Sequence, residues 1–304
     1  MKNRNSMTTQ EYRNMKANDP FKPVILSLSK SQSQRENWKG NKRMHELRGC
    51  VYGQAIGDAL GVPFEFQRRG TFECKQMKGF GTHFQPAGTW SDGTSMALAI
   101  CDSYKRIGRV DVDDIRSRFI DWFKCGAYTC DGLFDIGTTT AMALNNGHGL
   151  ADKYSNGNGS LMRTIPLAFT NATDAEIEEV SAITHAHEIS KQCCVKMVHI
   201  ARELICGKSP QQVLNEIDFD YSKPECEIKS GGYVLDTFEA SLWCLANTSS
   251  YSECVLKAVN LGDDTDTTGA VAGALAGIVY GFDKIPKSWI RTLKGKEIIA
   301  ECLF

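Results

Sequence analysis

Residues 260–281 read Asn260-Leu-Gly-Asp-Asp-Thr-Asp-Thr-Thr-Gly-Ala-Val-Ala-Gly-Ala-Leu-Ala-Gly-Ile-Val-Tyr-Gly281, so three carboxylates within four positions run straight into a helix of small and apolar residues. Asp263, Asp264 and Asp266 repel one another at close range unless a cation neutralises them, and oxygen-only ligands point to a hard ion such as magnesium, manganese or calcium. Complementing a helix macrodipole accounts for one or two of these carboxylates, but not for the third or for Thr267. Beyond them Gly269, Gly273, Gly277 and Gly281 recur every fourth residue. They lie along one side of an α-helix and admit another helix at close range, although each glycine costs about 1 kcal/mol of helix propensity. The stretch predicts a metal-ligand loop fixed to a buried central helix.

A second helix with small residues is expected at Leu47 to Leu60, where Leu47, Val51, Ala55, Ile56, Ala59 and Leu60 fall at helical spacing and Gly53 and Gly57 again allow close packing. It delivers Asp58 on an otherwise small and apolar face, and Glu65 just after the terminating Pro63. A buried carboxylate needs a partner or a metal, so Asp58 reads either as part of a site or as a core carboxylate capping a neighbouring helix. A further acidic cluster, Thr89-Trp-Ser-Asp-Gly-Thr-Ser-Met96, precedes the helical run Ala97 to Tyr104, with Ser91 or Asp92 at the N-cap. Gly157-Asn-Gly-Ser-Leu-Met-Arg163 is a glycine-rich turn opening a helix, of the kind whose N–H groups can cradle phosphate with Ser160 as an added donor. Most such turns only reverse the chain.

The remaining patterns are helical: Val112 to Phe123, Thr139 to Leu144 after Asp135, Asp174 to Thr184, Ser190 to Cys206, Pro210 to Ile217, Gly232 to Leu245 and Tyr251 to Asn260. Period-two strands are absent, so residues 45–304 are expected to form one all-α domain. His185 and His187 stand i, i+2 and face different sides of a helix, which favours neutral hydrogen-bonded histidines over zinc ligands. Twelve cysteines are scattered among apolar residues without paired C-x-x-C spacing, which predicts reduced core thiols in a cytoplasmic protein. No run approaches the roughly 20 apolar residues of a membrane span.

The near-neutral total charge of −1 conceals a segregation: residues 1–48 carry eleven Lys and Arg against four Asp and Glu, a net of +7, and the rest carries −8. Residues 1–44 are read as a basic, largely irregular arm with one apolar anchor, Phe21-Lys-Pro-Val-Ile-Leu-Ser-Leu28. Its dispersed basic residues and sparse aromatics argue against nucleic acid.

Four motifs stand in the order found in ADP-ribosylglycohydrolases: Gly57-Asp-Ala-Leu-Gly61 with Glu65, Thr89-Trp-Ser-Asp92 followed by Thr94-Ser-Met96, Gly157 to Arg163, and Leu261-Gly-Asp-Asp-Thr-Asp-Thr267. From about residue 46 to 304 the chain resembles this family, in particular the group that includes the dinitrogenase-reductase-activating glycohydrolase. The resemblance implies an all-α domain with two central magnesium ions, manganese being an alternative, that removes ADP-ribose from a modified side chain, most often arginine. It makes Ser91, Asp92, Asp264, Asp266 and Thr267 metal ligands, with Glu65 a further carboxylate ligand at the cleft mouth and Asp58 close beneath as a substrate-binding residue. Among these, Glu65, Asp92 and Asp264 carry the catalytic expectation. Gly157, Asn158, Gly159 and Ser160 would hold the diphosphate, and Gly231, Gly232 and Tyr233 would line the adenosine side.

The chain departs from the family at Gly93, where a second aspartate usually follows Asp92 and supplies a metal ligand. One of the two metal positions is therefore expected to be weakened. Two functions follow: a metal-dependent hydrolase that reverses ADP-ribosylation of a protein, or a non-catalytic binding protein that keeps the fold and occludes a partner. Members of the family also resemble immunity proteins against ADP-ribosylating toxins, and the basic arm would suit the NAD-binding cleft of such an ADP-ribosyltransferase.

Overall fold

The computed structural model describes residues 40–304. Helix α1, Gly40–Gly61, is closed by the 3-10 turn Val62–Phe64 with Pro63 in its first turn, and residues 49–61 are buried without interruption. Helix α11, Thr265–Tyr280, is buried from Thr265 to Ile278. These two helices run antiparallel at backbone contact. A Cβ on Gly49 would lie 2.5 Å from the Gly277 carbonyl oxygen, one on Gly53 2.3 Å from that of Gly273, and one on Gly57 2.0 Å from that of Gly269. Each glycine stripe that the sequence placed on its own helix is thus the partner of the other. The register ends where Gly61 meets the Asp266 backbone, with a built Cβ only 2.4 Å from Asp266 Cα. It brings the C-terminal end of α1, with Asp58 and then Glu65, beside the N-terminal end of α11, with Asp264 and Asp266.

The other elements wrap this pair. Helix α2, Asp92–Ile107, is followed by α3, Val112–Cys125, and α4, Thr138–Asn146. After α5, Leu161–Thr164, come α6, Asp174–Ala182, α7, Glu188–Ile205, and α8, Pro210–Glu216. Helices α9, Val234–Ala246, and α10, Tyr251–Asn260, flank α11 before the closing α12, Lys287–Thr292, and α13, Lys296–Cys302. Local signals set many ends: α6 and α8 open with capping boxes, Thr173 with Glu176 and Ser209 with Gln212, each N-cap contributing about 1 kcal/mol. Among the described residues there is no strand, only isolated bridges, and the all-α expectation holds.

The helix expected after the Gly157 turn is short. It is α-helical only over Leu161–Thr164 and continues as a 3-10 turn, Ile165–Phe169, because Pro166 has no N–H to donate. The core is built on large buried side chains including Trp90, Trp122, Phe119, Phe169 and Phe238. Tyr251 is fully buried, and its hydroxyl donates to the Gly53 carbonyl at 2.8 Å, so α10 is tied to α1 through the polar tip of an apolar residue. All twelve cysteines are free, eight of them buried, matching the reduced-thiol reading. No described helix is long and apolar enough to cross a membrane. The basic segment 1–44 lies outside the described residues except for its last five positions, which already belong to α1.

Candidate active site

Four segments are laced together by main-chain hydrogen bonds around the end of the α1/α11 pair. Phe66 N–H donates to Asp263 O at 2.7 Å and Asp263 N–H to Gln67 O at 2.8 Å, joining the segment after α1 to the one before α11. Asp264 N–H reaches Ser230 O at 2.9 Å, Asn158 N–H reaches Gly232 O at 3.0 Å and Val234 N–H reaches Asn156 O at 3.0 Å. The Gly157 turn and the Gly231–Tyr233 segment, far apart in sequence, therefore face each other.

Carboxylate oxygens of Glu65, Asp264 and Asp266 gather within 4.8 Å of one another. Asp264 Oδ1 and Asp266 Oδ2 are buried without a hydrogen-bond partner. Asp264 Oδ2 accepts from Asn158 Nδ2 at 2.8 Å, and Asp266 Oδ1 accepts from Thr267 N–H at 2.8 Å, which orients both groups. Two orphaned acidic oxygens facing a third carboxylate fit a hard divalent cation better than any neutral occupant. The energetics agree. Burial, then the charges of Glu65, Asp264, Asp135 and Asp58, push the Asp266 carboxyl well above the usual range, and a cation at this point would reverse that logic.

Asp92 sits 6% exposed in the first turn of α2, its carboxyl likewise raised by burial and then by Asp135, Asp58 and Asp264. It lies within the same electrostatic cluster but outside the tight group of three. Ser91 is the N-cap residue, yet its hydroxyl donates to Asp58 Oδ1 at 2.9 Å. Thr267, 8% exposed, borders Asp266 on α11.

Asp58 corrects the substrate-binding expectation. It is 0% exposed, and its two oxygens accept from Ser91 N–H, Ser91 Oγ, Thr94 N–H and Thr94 Oγ1 at 2.6 to 3.1 Å. The carboxylate caps α2 from across the core and leaves no oxygen for a substrate. Burial raises it to about 6 against those four hydrogen bonds.

Ser160 is a second correction: it is 0% exposed with its Oγ 3.4 Å from Cys194 Sγ, so it faces the core and not a phosphate. Of the same turn, Asn158 reaches the acidic group through its bond to Asp264. Gly159 could not carry a side chain, because a Cβ would lie 2.8 Å from His185 Cε1. Gly232 and Tyr233 stand opposite, a Gly232 Cβ falling 3.3 Å from Asp264 Oδ2. Asp263, counted with the loop carboxylates in the sequence, is exposed at a positive φ of 58° and takes no part in the group. Arg163 anchors the turn from within. Fully buried, it donates to Gly159 O at 3.1 Å and Thr184 Oγ1 at 2.8 Å and stacks on Phe119, and burial lowers it to about 10.

Two residues were not legible as site residues. His83 Nε2 contacts Glu65 Oε2, and Asp135 joins both in a second group within 4.8 Å. Asp135 opens the segment before α4 at φ 49°, a left-handed conformation that aspartate tolerates, and in the sequence it stood out only as preceding that helix. His83 had none. Burial raises Glu65 to about 7, with Asp135 and Asp264 adding to it against the His83 hydrogen bond. His185 is buried, shares its Nδ1 with Thr184 Oγ1 at 2.8 Å and is pushed down to about 3 by burial and Arg163, a neutral core histidine, although neither it nor His187 lies in the helix on which the spacing argument placed them. His187 caps α7 instead.

Residues 40–303 match the family model described as ADP-ribosylglycohydrolase. The chain is 32% identical to ADP-ribosylarginine hydrolase Tri1 of Serratia proteamaculans (strain 568), over 94% of this chain and 88% of that one. It is also 32% identical to ADP-ribosyl-[dinitrogen reductase] glycohydrolase of Rhodospirillum rubrum, over 82% and 90%. Among solved structures, one titled ADP-ribosylglycohydrolase-related protein complex superposes with a TM-score of 0.75 at 30% identity, covering 86% of this chain and 97% of that one. With its fold, its acidic cluster and its motifs all in that pattern, the chain belongs to the ADP-ribosylglycohydrolase family of hydrolases.

Proposed function

We propose that the protein hydrolyses the N-glycosidic bond between ADP-ribose and an arginine side chain of a modified protein, with a divalent cation, magnesium or manganese, held by Asp264 and Asp266 and bordered by Glu65 and Asp92. The observation that carries this is the pair of buried, unpartnered oxygens, Asp264 Oδ1 and Asp266 Oδ2, facing Glu65. A bound cation would supply Lewis-acid polarisation of the ribose hydroxyls and of the attacking water. Hydrolysis breaks the ribose C1–N bond, delivers the water oxygen to that carbon and returns a proton to the leaving guanidine nitrogen. A carboxyl beside the cation can hold and pass that proton, and we assign this to Glu65, which borders Asp264 and Asp266 and is in contact with His83 Nε2. The facing segments at Gly157–Gly159 and Gly232–Tyr233 would receive the diphosphate and adenosine.

Gly93 reduces the ligand set for a second cation. The structure supplies Glu65, His83 and Asp135 as the other group of metal-binding residue types. Release of ADP-ribose from an arginine-modified protein, followed with and without chelator, tests the reading, and the absence of any cation-dependent release would overturn it.

A second reading, a binding protein acting through residues 1–44 on an ADP-ribosyltransferase, rests on the basic charge of that segment, a net of +7 over residues 1–48. The match to the Serratia relative covers too much of the chain to fit within residues 40–304 and so extends into that segment. A role in immunity to an ADP-ribosylating toxin is compatible with either reading.

A further inference from the structure

Three phenylalanines beside the acidic group are turned to solvent: Phe66 is 68% exposed, Phe80 64% and Phe84 79%. Each also has a positive φ, 65°, 66° and 55° respectively, a region that bulky L-residues avoid and that persists only where the surroundings over-determine it. Exposed apolar side chains scattered singly need no explanation, whereas a cluster marks an interaction site.

The cluster is tied to the site. Phe66 follows Glu65, and its ring lies 6.0 Å from that of His83, which has Phe134 at 5.5 Å. Phe80 and Phe84 stand at the two ends of a tight turn closed by the Phe80–Gln85 bridge. That turn is pressed on the end of α1: a Cβ on Gly81 would fall 2.1 Å from Pro63 O, and Thr82 Oγ1 donates to Glu65 O at 2.7 Å. The turn therefore directs its small and polar residues, Gly81, Thr82 and His83, toward the segment carrying Glu65, and presents phenylalanines outward. This inverts the usual arrangement of a surface turn.

Resting on the hydrolase reading above, we propose that Phe66, Phe80 and Phe84 form a docking rim for the polypeptide that carries the modified side chain. The occupant follows from continuity with the acidic group. A sugar attached to a protein side chain brings the surrounding surface of that protein close to Glu65, beside which stand Phe66, its neighbour in the chain, and the Phe80–Phe84 turn, bound to it through Thr82 and His83. Aromatic rings there give rigid apolar contact at small entropic cost and without reading a particular sequence.

The test compares the full chain with the Phe80→Gly/Phe84→Asn variant, whose new residues accept the positive φ; Phe66, which packs on His83, is left in place. Turnover is measured on an ADP-ribosylated protein and on free ADP-ribosyl-arginine, and melting is followed in parallel. The variant is expected to lose about tenfold or more in kcat/KM on the modified protein, to keep its rate on the free amino-acid conjugate, and to melt no lower than the parent. Equal losses on both substrates, or none on the protein, would overturn the rim. So would a parent chain that self-associates in sedimentation while the variant does not, since the rim would then bind a second copy. If the parent releases ADP-ribose from neither substrate, the hydrolase reading itself fails and takes the rim with it.

Discussion

Gly57 and Gly269 face each other so closely that a Cβ on either would enter the other's carbonyl, 2.0 Å in one direction and 2.5 Å in the other. The contact holds the two acidic helix ends in register, because Asp58 and Glu65 follow one glycine while Asp264 and Asp266 precede the other.

Gly57→Ala should therefore destabilise the fold and loosen the site together. Overpacking of this kind costs about 1–3 kcal/mol, and here the obstructing atom is backbone, which cannot rotate away. Denaturant melting with and without magnesium measures both effects. An alanine variant with unchanged stability and unchanged metal response would contradict the close contact.

Divalent cation should raise the melting temperature, and Asp264→Ala should remove that response. The effect should depend on pH. Glu65 is raised from 4.5 to about 7 mainly by burial, and Asp135 from 3.8 to about 6 by burial and Asp264. A carboxyl with a higher pKa in the folded chain contributes stability below its unfolded value and loses it as pH rises through its folded value. Metal-free protein should thus weaken between about pH 4 and 7 through these groups, and magnesium should stabilise more at pH 8 than at pH 5. Equal melting shifts at the two pH values would count against the cluster.

Gly93→Asp is sterically open, since a Cβ there meets Met162 Sδ at 3.4 Å, Met162 Cγ at 3.5 Å and Asp58 Oδ2 at 3.7 Å, ordinary contacts. We expect it to raise the rate of ADP-ribose release, on the scale of about 10–100-fold that ligand support is worth at metal sites. It should also lower the melting temperature of the metal-free protein, as another carboxylate joins the cluster, and steepen the response to magnesium. Identical rates for both variants would mean that the glycine is a tolerated replacement.

Removal of residues 1–39 should leave melting of the domain unchanged, because α1 begins at Gly40. Deleting to residue 44, where the composition changes, would instead cut the first turn of that helix. If the segment binds an ADP-ribosyltransferase, calorimetry should show weaker binding without it, and equal affinities would rule this out.

Local chemistry made much of this protein readable in advance. Periodicity located the helices, capping residues such as Thr173 and Ser209 marked their starts, and runs of oxygen ligands at Ser91–Asp92 and Asp264–Asp266 exposed the acidic ends, because each of these signals is carried by neighbours in the chain. Partnership was not readable. That the two glycine stripes pack on each other, that Asp58 is consumed in capping α2, that Ser160 turns into the core and that His83 and Asp135 converge on Glu65 depend on contacts between distant segments. Those contacts are settled by how helices of given shape and burial fit together, and no local pattern encodes that fit.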